Sequence, residues 1–220
     1  WLKGDRFDAV MNYLITLPII CFFTRDWHNI NEIHKIHNYR SARATTAEEF
    51  KASLDRYFKI YDMRTIHQQF NLISSHDTPR FLTMCGGNKH TLKLAYLFLF
   101  TFPGVPCIYY GDEIGMYGGN DPDCRKAFDW NMGTWDRDLL SFFQTLIDQR
   151  KSSVALQKGD FRIQYIDQNL LYYTRTYKNN TAHIALNLCG APETLPLPDR
   201  GSPLGAGSLV LGPYGYKMVV

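Results

Sequence analysis

Residues 71–80 place an imidazole beside a carboxylate, His76 and Asp77, at the end of an apolar run that includes Leu72 and Ile73. Pro79 disfavours helical geometry at Thr78, so the backbone must turn there. A strand that ends in such a pair and is followed by a turn and a long apolar helix displays polar groups at the mouth of a parallel sheet or barrel. The plainer alternative is a strand end whose polar residues cap the next element. Asp121 and Arg125 form a second pair, four residues apart in a loop rich in Gly, Asp and Pro. A carboxylate and a guanidinium so placed can clamp hydroxyl groups through bidentate hydrogen bonds. Their plainer alternative is an internal salt bridge that stiffens the loop.

Other chemistry-bearing residues give weaker signals. Asn12 and Asp112-Glu113 also fall at junctions between apolar runs and loops, and in a parallel barrel they converge with His76-Asp77 on one face. His28, His34 and His37, with Glu32 nearby, fit no zinc spacing, and there is no HExxH, so no metal site is assigned. No GxGxxG, Walker loop or GxSxG occurs, and no cofactor is expected. Trp130 and Trp135 flank a turn before the last long helix; core packing is the default for both, and stacking on a sugar ring is the functional alternative.

The elements that must position these residues alternate. Residues 7–13 read as a short buried strand ending at Asn12 and Tyr13, and residues 14–27 as a short apolar helix. Residues 26–44 are polar without a clear period. Thr46 and Glu49 make a capping box, after which Phe50, Leu54, Tyr57, Phe58 and Tyr61 recur at helical spacing. Residues 71–75 are the second strand, 91–102 a helix apolar nearly all round, and 105–110 a third apolar strand after the Pro103-Gly104 stop. Thr134 is the expected cap of a helix carrying Leu139, Leu140, Phe143, Leu146, Ile147 and Arg150. Beyond Gly159 the pattern changes to strands at 161–166, 170–177 and 181–188, with weaker ones near 208–211 and 216–220. Alternation of Ala182, Ile184, Leu186 and Leu188 with His183, Ala185 and Asn187 predicts one buried and one solvated face for the 181–188 strand.

This order gives an α/β class with parallel βαβ units over residues 1–155 and an all-β module over 156–220. Three strands are few for a complete parallel sheet and would leave a bare strand edge, an aggregation hazard. We therefore expect sequence upstream of Trp1, consistent with the absence of an initiating Met, and a covering for the edge from another chain. Composition narrows the partners. Net charge is +3, from 24 Lys+Arg against 21 Asp+Glu, too balanced for a dedicated nucleic-acid surface. Five cysteines, odd in number, widely spaced and without a CxxC, suit reduced thiols and a cytoplasmic location. No run is long and apolar enough to span a membrane, and residues 1–5 are not a signal peptide.

The stretch 71–82 around His76, Asp77, Pro79 and Arg80 resembles the last conserved region of the α-amylase family of glycoside hydrolases. Residues 102–116, from Phe102-Pro103-Gly104 to Gly111-Asp112-Glu113, resemble that family's last barrel strand and its loop. Residues 118–126, with Asp121 and Arg125, are most similar to the cyclomaltodextrinase, neopullulanase and maltogenic amylase branch, and residues 7–13 resemble its sixth strand. The resemblance implies the C-terminal part of a (β/α)8 TIM barrel, about strands six to eight, followed by a small antiparallel β-sandwich. It implies that Asp77 stabilises the transition state, that His76 hydrogen-bonds the ring at the cleavage subsite, and that Asp121 and Arg125 bind the same sugar. It implies retaining hydrolysis of α-1,4-linked glucans such as cyclodextrins, maltooligosaccharides or pullulan, in a full-length parent that can form a homodimer. The family's nucleophile and general acid end its fourth and fifth strands, so both are expected upstream of Trp1 and the 220 residues alone are expected to be inactive. Asp112 and Glu113 are structural or outer-cleft residues in family terms. A non-catalytic sugar-binding or scaffold protein with the same barrel, and a transglycosylase, remain open as alternatives.

Overall fold

The computed structural model describes residues 2, 6–24, 34–35, 39–198 and 201–220. Helix α1 (Tyr13–Phe23) buries Ile15, Ile19, Ile20, Phe22 and Phe23. Helix α2 (Ala47–Ile60) starts at the capping box expected from Thr46 and Glu49, and buries Phe50, Leu54 and Tyr57. Phe22 and Phe50 stack at 4.2 Å, which joins the two helices. A short helix that the sequence reading missed, α3 (Met63–Gln68), begins at Asp62, whose side chain accepts the Thr65 amide.

Strand β1 (Phe70–Asn71) pairs in parallel with β2 (Val105–Pro106), and Met11 makes a parallel bridge to Phe70. The expected parallel βα alternation is present, but each ladder is short. Of the expected strands 71–75 and 105–110, only Asn71 and Val105-Pro106 lie in the ladder, because the segments that follow bend into the site loops. Between β1 and β2 lie α4 (Phe81–Met84) and α5 (Lys89–Thr101). Asn88 caps α5 by accepting the His90 and Thr91 amides, so the helix starts two residues before the apolar run. Ten of its thirteen residues are buried, as expected of a helix apolar nearly all round.

The expected burial of residues 7–13 is corrected. Phe7, Val10 and Met11 are exposed, as are Phe70 and Val105 beside them. Only Asn12 of that segment is deeply buried, and its amide donates to Asn71 Oδ1 and to the Tyr57 hydroxyl, both at 2.8 Å. Asn71 in turn donates to the Pro103 carbonyl. This buried amide chain ties the segment at Asn12 to β1 and to the backbone turn that leads into β2.

Helix α6 (Arg137–Ser152) is capped by Asp136, not by Thr134. The Thr134 hydroxyl is spent on Asp129 and on the Asn131 carbonyl, which close the turn before it. After α7 (Val154–Lys158) come β3 (Arg162–Ile166), β4 (Leu170–Tyr177) and β5 (Asn180–Asn187), then β6 (Glu193–Pro196), β7 (Ser208–Leu211) and β8 (Tyr216–Val219). One antiparallel sheet runs β3-β4-β5-β8, and β6 pairs with β7. One face of the larger sheet, through Leu171, Tyr173, Ala182, Ile184 and Leu186, shares a core with Phe98, Phe102 and the helices. The other carries Leu170, Tyr172 and Ala185 against Leu195, Leu197, Leu204 and Leu211. The β6-β7 hairpin therefore corrects the expectation of a solvated second face on β5: Ala185 and Asn187 are buried.

Arg175 of β4 is fully buried and donates to the carbonyls of Thr101, Gly159 and Asp160, which ties the sheet to the end of α5. His67 of α3 feels that cation. Its pKa is pushed down to about 4, first by desolvation and then by Arg175 and Arg150. The ordinary value is 6.5, so the unfolded chain takes up the proton first as pH falls. This contribution to stability is intact above about pH 6.5 and is lost as pH falls toward 4. Its size is on the order of 1–2 kcal/mol once screening at a half-exposed ring is allowed for. In thermal melts at a series of pH values, His67→Gln should show a shallower loss of Tm between pH 6.5 and 4 than the wild type; parallel curves would rule the assignment out.

Candidate functional site

The turn after β1 presents His76 and Asp77, each about half-exposed. Its backbone is fixed locally: the Asp77 amide donates to Ser75 Oγ at 3.1 Å, and the Ser75 amide to Thr78 Oγ1 at 3.2 Å. His76 Nε2 lies 3.2 Å from Asp77 Oδ1. From the start of α1, the Tyr13 hydroxyl donates to Asp77 Oδ2 at 2.9 Å and lies 3.3 Å from Ser75 Oγ. The Tyr13 phenol is pushed up by burial, and the Asp77 carboxylate adds to the shift.

The loop after β2 brings the second pair to the first. A 3₁₀ turn, Asp123–Arg125, follows Asp121. Arg125 Nε lies 3.1 Å from Asp121 Oδ1 and donates to the His76 carbonyl at 2.9 Å, while its Nη2 lies 3.8 Å from Asp77 Oδ1. Buried Cys124 places its thiol 3.6 Å from the same His76 carbonyl. All four residues expected from the sequence thus stand together, although His76 and Asp121 are more than 40 positions apart. The Asp121–Arg125 salt bridge exists, as the plainer alternative had it. It is about half-exposed at both ends, where such a pair contributes ~1 kcal/mol or less. What it does is hold a guanidinium between two carboxylates at an open surface.

Asn12 and Asp112-Glu113 do not join this group. Asn12 turns into the buried amide chain. Asp112 is fully buried and accepts from Arg80 Nη1 at 2.9 Å and from the Tyr96 hydroxyl at 2.5 Å, while Glu113 accepts the Gly111 amide. Burial pushes the Asp112 carboxyl above the usual carboxylate range, against the pull of Ser74, Tyr96 and Arg80. Arg80 is itself 0% exposed, with its guanidinium carbon 4.6 and 4.8 Å from the rings of Tyr109 and Tyr110. Its backbone amide donates to the Gly118 carbonyl at 2.9 Å. Asp112 is therefore part of the frame, as its structural reading required.

Trp130 departs from the core-packing default. It is 80% exposed, with the Phe128 ring against it at 4.7 Å. Trp135 is half-buried and donates its indole N–H to the Asp129 carbonyl. Of the four residues weighed as a metal site, His28, His37 and Glu32 lie outside the described residues. His34 Nε2 sits 2.8 Å from the Ala42 carbonyl. No group of three or more His, Cys, Asp or Glu side chains able to hold a metal occurs among the described residues. The sequence reading did not assign a role to Tyr13; its place at a strand-to-helix junction, like that of His76-Asp77, was the available signal.

With this geometry in view, comparison with known proteins places the chain. The pattern for the alpha amylase catalytic domain matches residues 1–153, and the chain belongs to that family. A cyclomaltodextrinase from Bacillus sp is 40% identical over 197 residues, 89% of this chain and 32% of that protein. Neopullulanase 2 from Thermoactinomyces vulgaris is 40% identical over 205 residues, 91% of this chain and 32% of that protein. The native debranching enzyme of Nostoc punctiforme superposes with a TM-score of 0.87 at 30% identity, covering 99% of this chain and 49% of that one. The chain spans about a third of the length of these curated relatives.

The buried Arg80–Asp112 pair makes the frame testable. Asp112→Ala should destabilise the fold by about 3–5 kcal/mol, because it leaves a buried guanidinium without its counter-ion. Denaturant unfolding would show this as a lower midpoint at unchanged slope, and an unchanged midpoint would mean that Arg80 does not depend on Asp112.

Proposed function

We propose that this chain is the sugar-holding part of a retaining α-glucan hydrolase acting on α-1,4-linked glucans. In this reading residues 1–155 are the C-terminal portion of a (β/α)8 barrel, and residues 156–220 are an all-β C-terminal module. The observation that carries it is the convergence of His76, Asp77, Asp121 and Arg125, with Tyr13, on one open surface. Asp77 faces the sugar at the cleavage subsite and stabilises the positive charge of an oxocarbenium-like transition state. His76 hydrogen-bonds the ring, and Asp121 and Arg125 take its outer hydroxyls. Such hydrolysis also needs a nucleophile and a general acid. We assign neither to a residue of this chain: Asp112 is committed to Arg80, and Asp77 and Asp121 share one guanidinium. Both belong to the remaining part of a longer protein, whose packing partners would cover the exposed strip of Phe7, Val10, Met11, Phe70 and Val105.

The five unpaired thiols support a cytoplasmic location. Among the described residues no helix is long and apolar enough to cross a membrane.

Two measurements test the reading. In the full-length protein, Asp77→Asn should lower kcat on β-cyclodextrin at least about a hundredfold with little change in Tm. Unchanged turnover would remove Asp77 from the mechanism, and sugar binding without turnover in the unaltered protein would favour the non-catalytic alternative. The 220-residue chain by itself should release no reducing sugar from β-cyclodextrin; clear release would place the missing carboxylates within it.

A further inference from the structure

Two consecutive serines end the segment after β1, and their hydroxyls diverge. Successive side chains of an extended segment point to opposite sides. Ser74 Oγ accepts the Phe81 amide at 2.9 Å and lowers the Asp112 pKa, so it belongs to the Arg80 frame. Ser75 is also buried, but its hydroxyl serves the site. Its Oγ accepts the Asp77 amide at 3.1 Å and lies 3.3 Å from the Tyr13 hydroxyl, which donates to Asp77 Oδ2 at 2.9 Å. Three contacts thus close a ring that runs from the Asp77 amide through Ser75 and Tyr13 back to the Asp77 carboxylate. Ser75 itself is pinned: its amide donates to Thr78 Oγ1 at 3.2 Å, and its carbonyl accepts the Thr78 amide at 3.5 Å.

Counting protons gives the ring a direction. Tyr13 has a single proton, and its nearer, charged acceptor is Asp77 Oδ2. Ser75 Oγ accepts the Asp77 amide and keeps a proton of its own, so the 3.3 Å contact is served by Ser75 donating to the Tyr13 oxygen. The Tyr13 phenol agrees with this direction. Burial raises its pKa most, the Ser75 bond draws it down, as a donor to its oxygen does, and the Asp77 bond raises it. We propose that Ser75 is a positioning residue: its hydroxyl orients Tyr13 toward Asp77 while its oxygen holds the Asp77 backbone, so that the carboxylate meets the bound sugar ring in one fixed rotamer. Hydrogen bonds that all run one way round polarise and strengthen one another. With its hydroxyl buried, Ser75 acts through Tyr13 and Asp77 and not on the sugar directly. The inference rests on the reading of Asp77 as the sugar-facing carboxylate.

The test is Ser75→Ala and Ser75→Cys in the full-length protein, each alone and combined with Tyr13→Phe, assayed on β-cyclodextrin beside Asp77→Asn. Cysteine nearly keeps the shape of serine but is a weak donor and acceptor, so it separates the hydrogen bonds from any cavity that alanine leaves. If Ser75→Ala melts below the assay temperature, the Ser75→Cys pair carries the comparison. Each single Ser75 variant should lower kcat roughly threefold to tenfold, the worth of about one hydrogen bond, with KM nearly constant. In the Tyr13→Phe background the same substitution should cost clearly less, because the contact between the two hydroxyls is already gone. An unchanged kcat in Ser75→Cys, a rise in KM alone, or losses that multiply in full in the double variants would each overturn the ring. If Asp77→Asn retains turnover the reading of the site itself fails; if it does not and the Ser75 variants behave as wild type, only the positioning role is lost.

Discussion

Arg80 is a guanidinium taken entirely out of water, and the geometry of the site depends on how that cost is met. Desolvating such a group costs several kcal/mol even after relaxation. The Asp112 carboxylate offsets part of it, and the Tyr110 carbonyl accepts a further bond from Nη1 at 2.7 Å. Nε and Nη2 have no hydrogen-bond partner among the described residues; the faces of Tyr109 and Tyr110 lie against the guanidinium instead. The cation is stable only if the segment after β2 runs where it does, with two consecutive tyrosines and a carboxylate closing on it. Tyr96 secures that carboxylate from α5. The side chain of Arg80 thus grips residues 109–112, and its backbone grips Gly118. One buried residue fixes the distance between the turn that carries Asp77 and the loop that carries Arg125.

The loop accepts this constraint only with glycine at particular points. Gly111 sits at φ +89, and a Cβ there would meet Met116 Sδ. A Cβ on Gly118 would come within 2.8 Å of the Asp123 carbonyl, at the very place where Arg80 docks. On this rigid frame His76, Asp121 and Arg125 are about half-exposed and held by weak, screened pairs, whereas Asp77 also accepts the Tyr13 hydroxyl. Strength lies in the frame and adaptability at the surface. Arg125 can therefore exchange its 3.8 Å contact with Asp77 for a sugar hydroxyl at little cost, without disturbing the backbone that positions it.

What was legible in the sequence follows the range of the interactions. The Thr46–Glu49 box, the stripe of α2 and the β4-β5 hairpin are set by residues a few positions apart, and they fold as their spacing dictates. The expected strands 71–75 and 105–110 are ladder-paired only at their first residues, because an apolar run predicts a strand whether or not a ladder forms. β6 was missed because Pro196 and Pro198 mask it, and its pairing with β7 is what buries the second face of β5. Thr134 and Asp136 both had the chemistry of a cap, and only the closure of the Asp129–Thr134 turn decides between them. His76, Asp77, Asp121 and Arg125 could be named because each cluster is local. Tyr13, whose bond to Asp77 spans 64 positions, could not.

That long-range bond also bears on the division of labour in the proposed enzyme. Asp77 is approached by a phenol from α1, by the guanidinium of the loop after β2 and by the imidazole beside it, so two other segments and its own turn define where its oxygens lie. A carboxylate that must attack carbon, or pass a proton and take it back, needs freedom to change its partners during the reaction. One that only stabilises charge works best when it is held still, since a preorganised group requires no reorganisation as the transition state forms. The number of contacts converging on Asp77 suits the second task. By the same reasoning, the nucleophile and acid of the proposed reaction should stand on elements less tightly cross-linked to this frame, facing Asp77 across the bound ring.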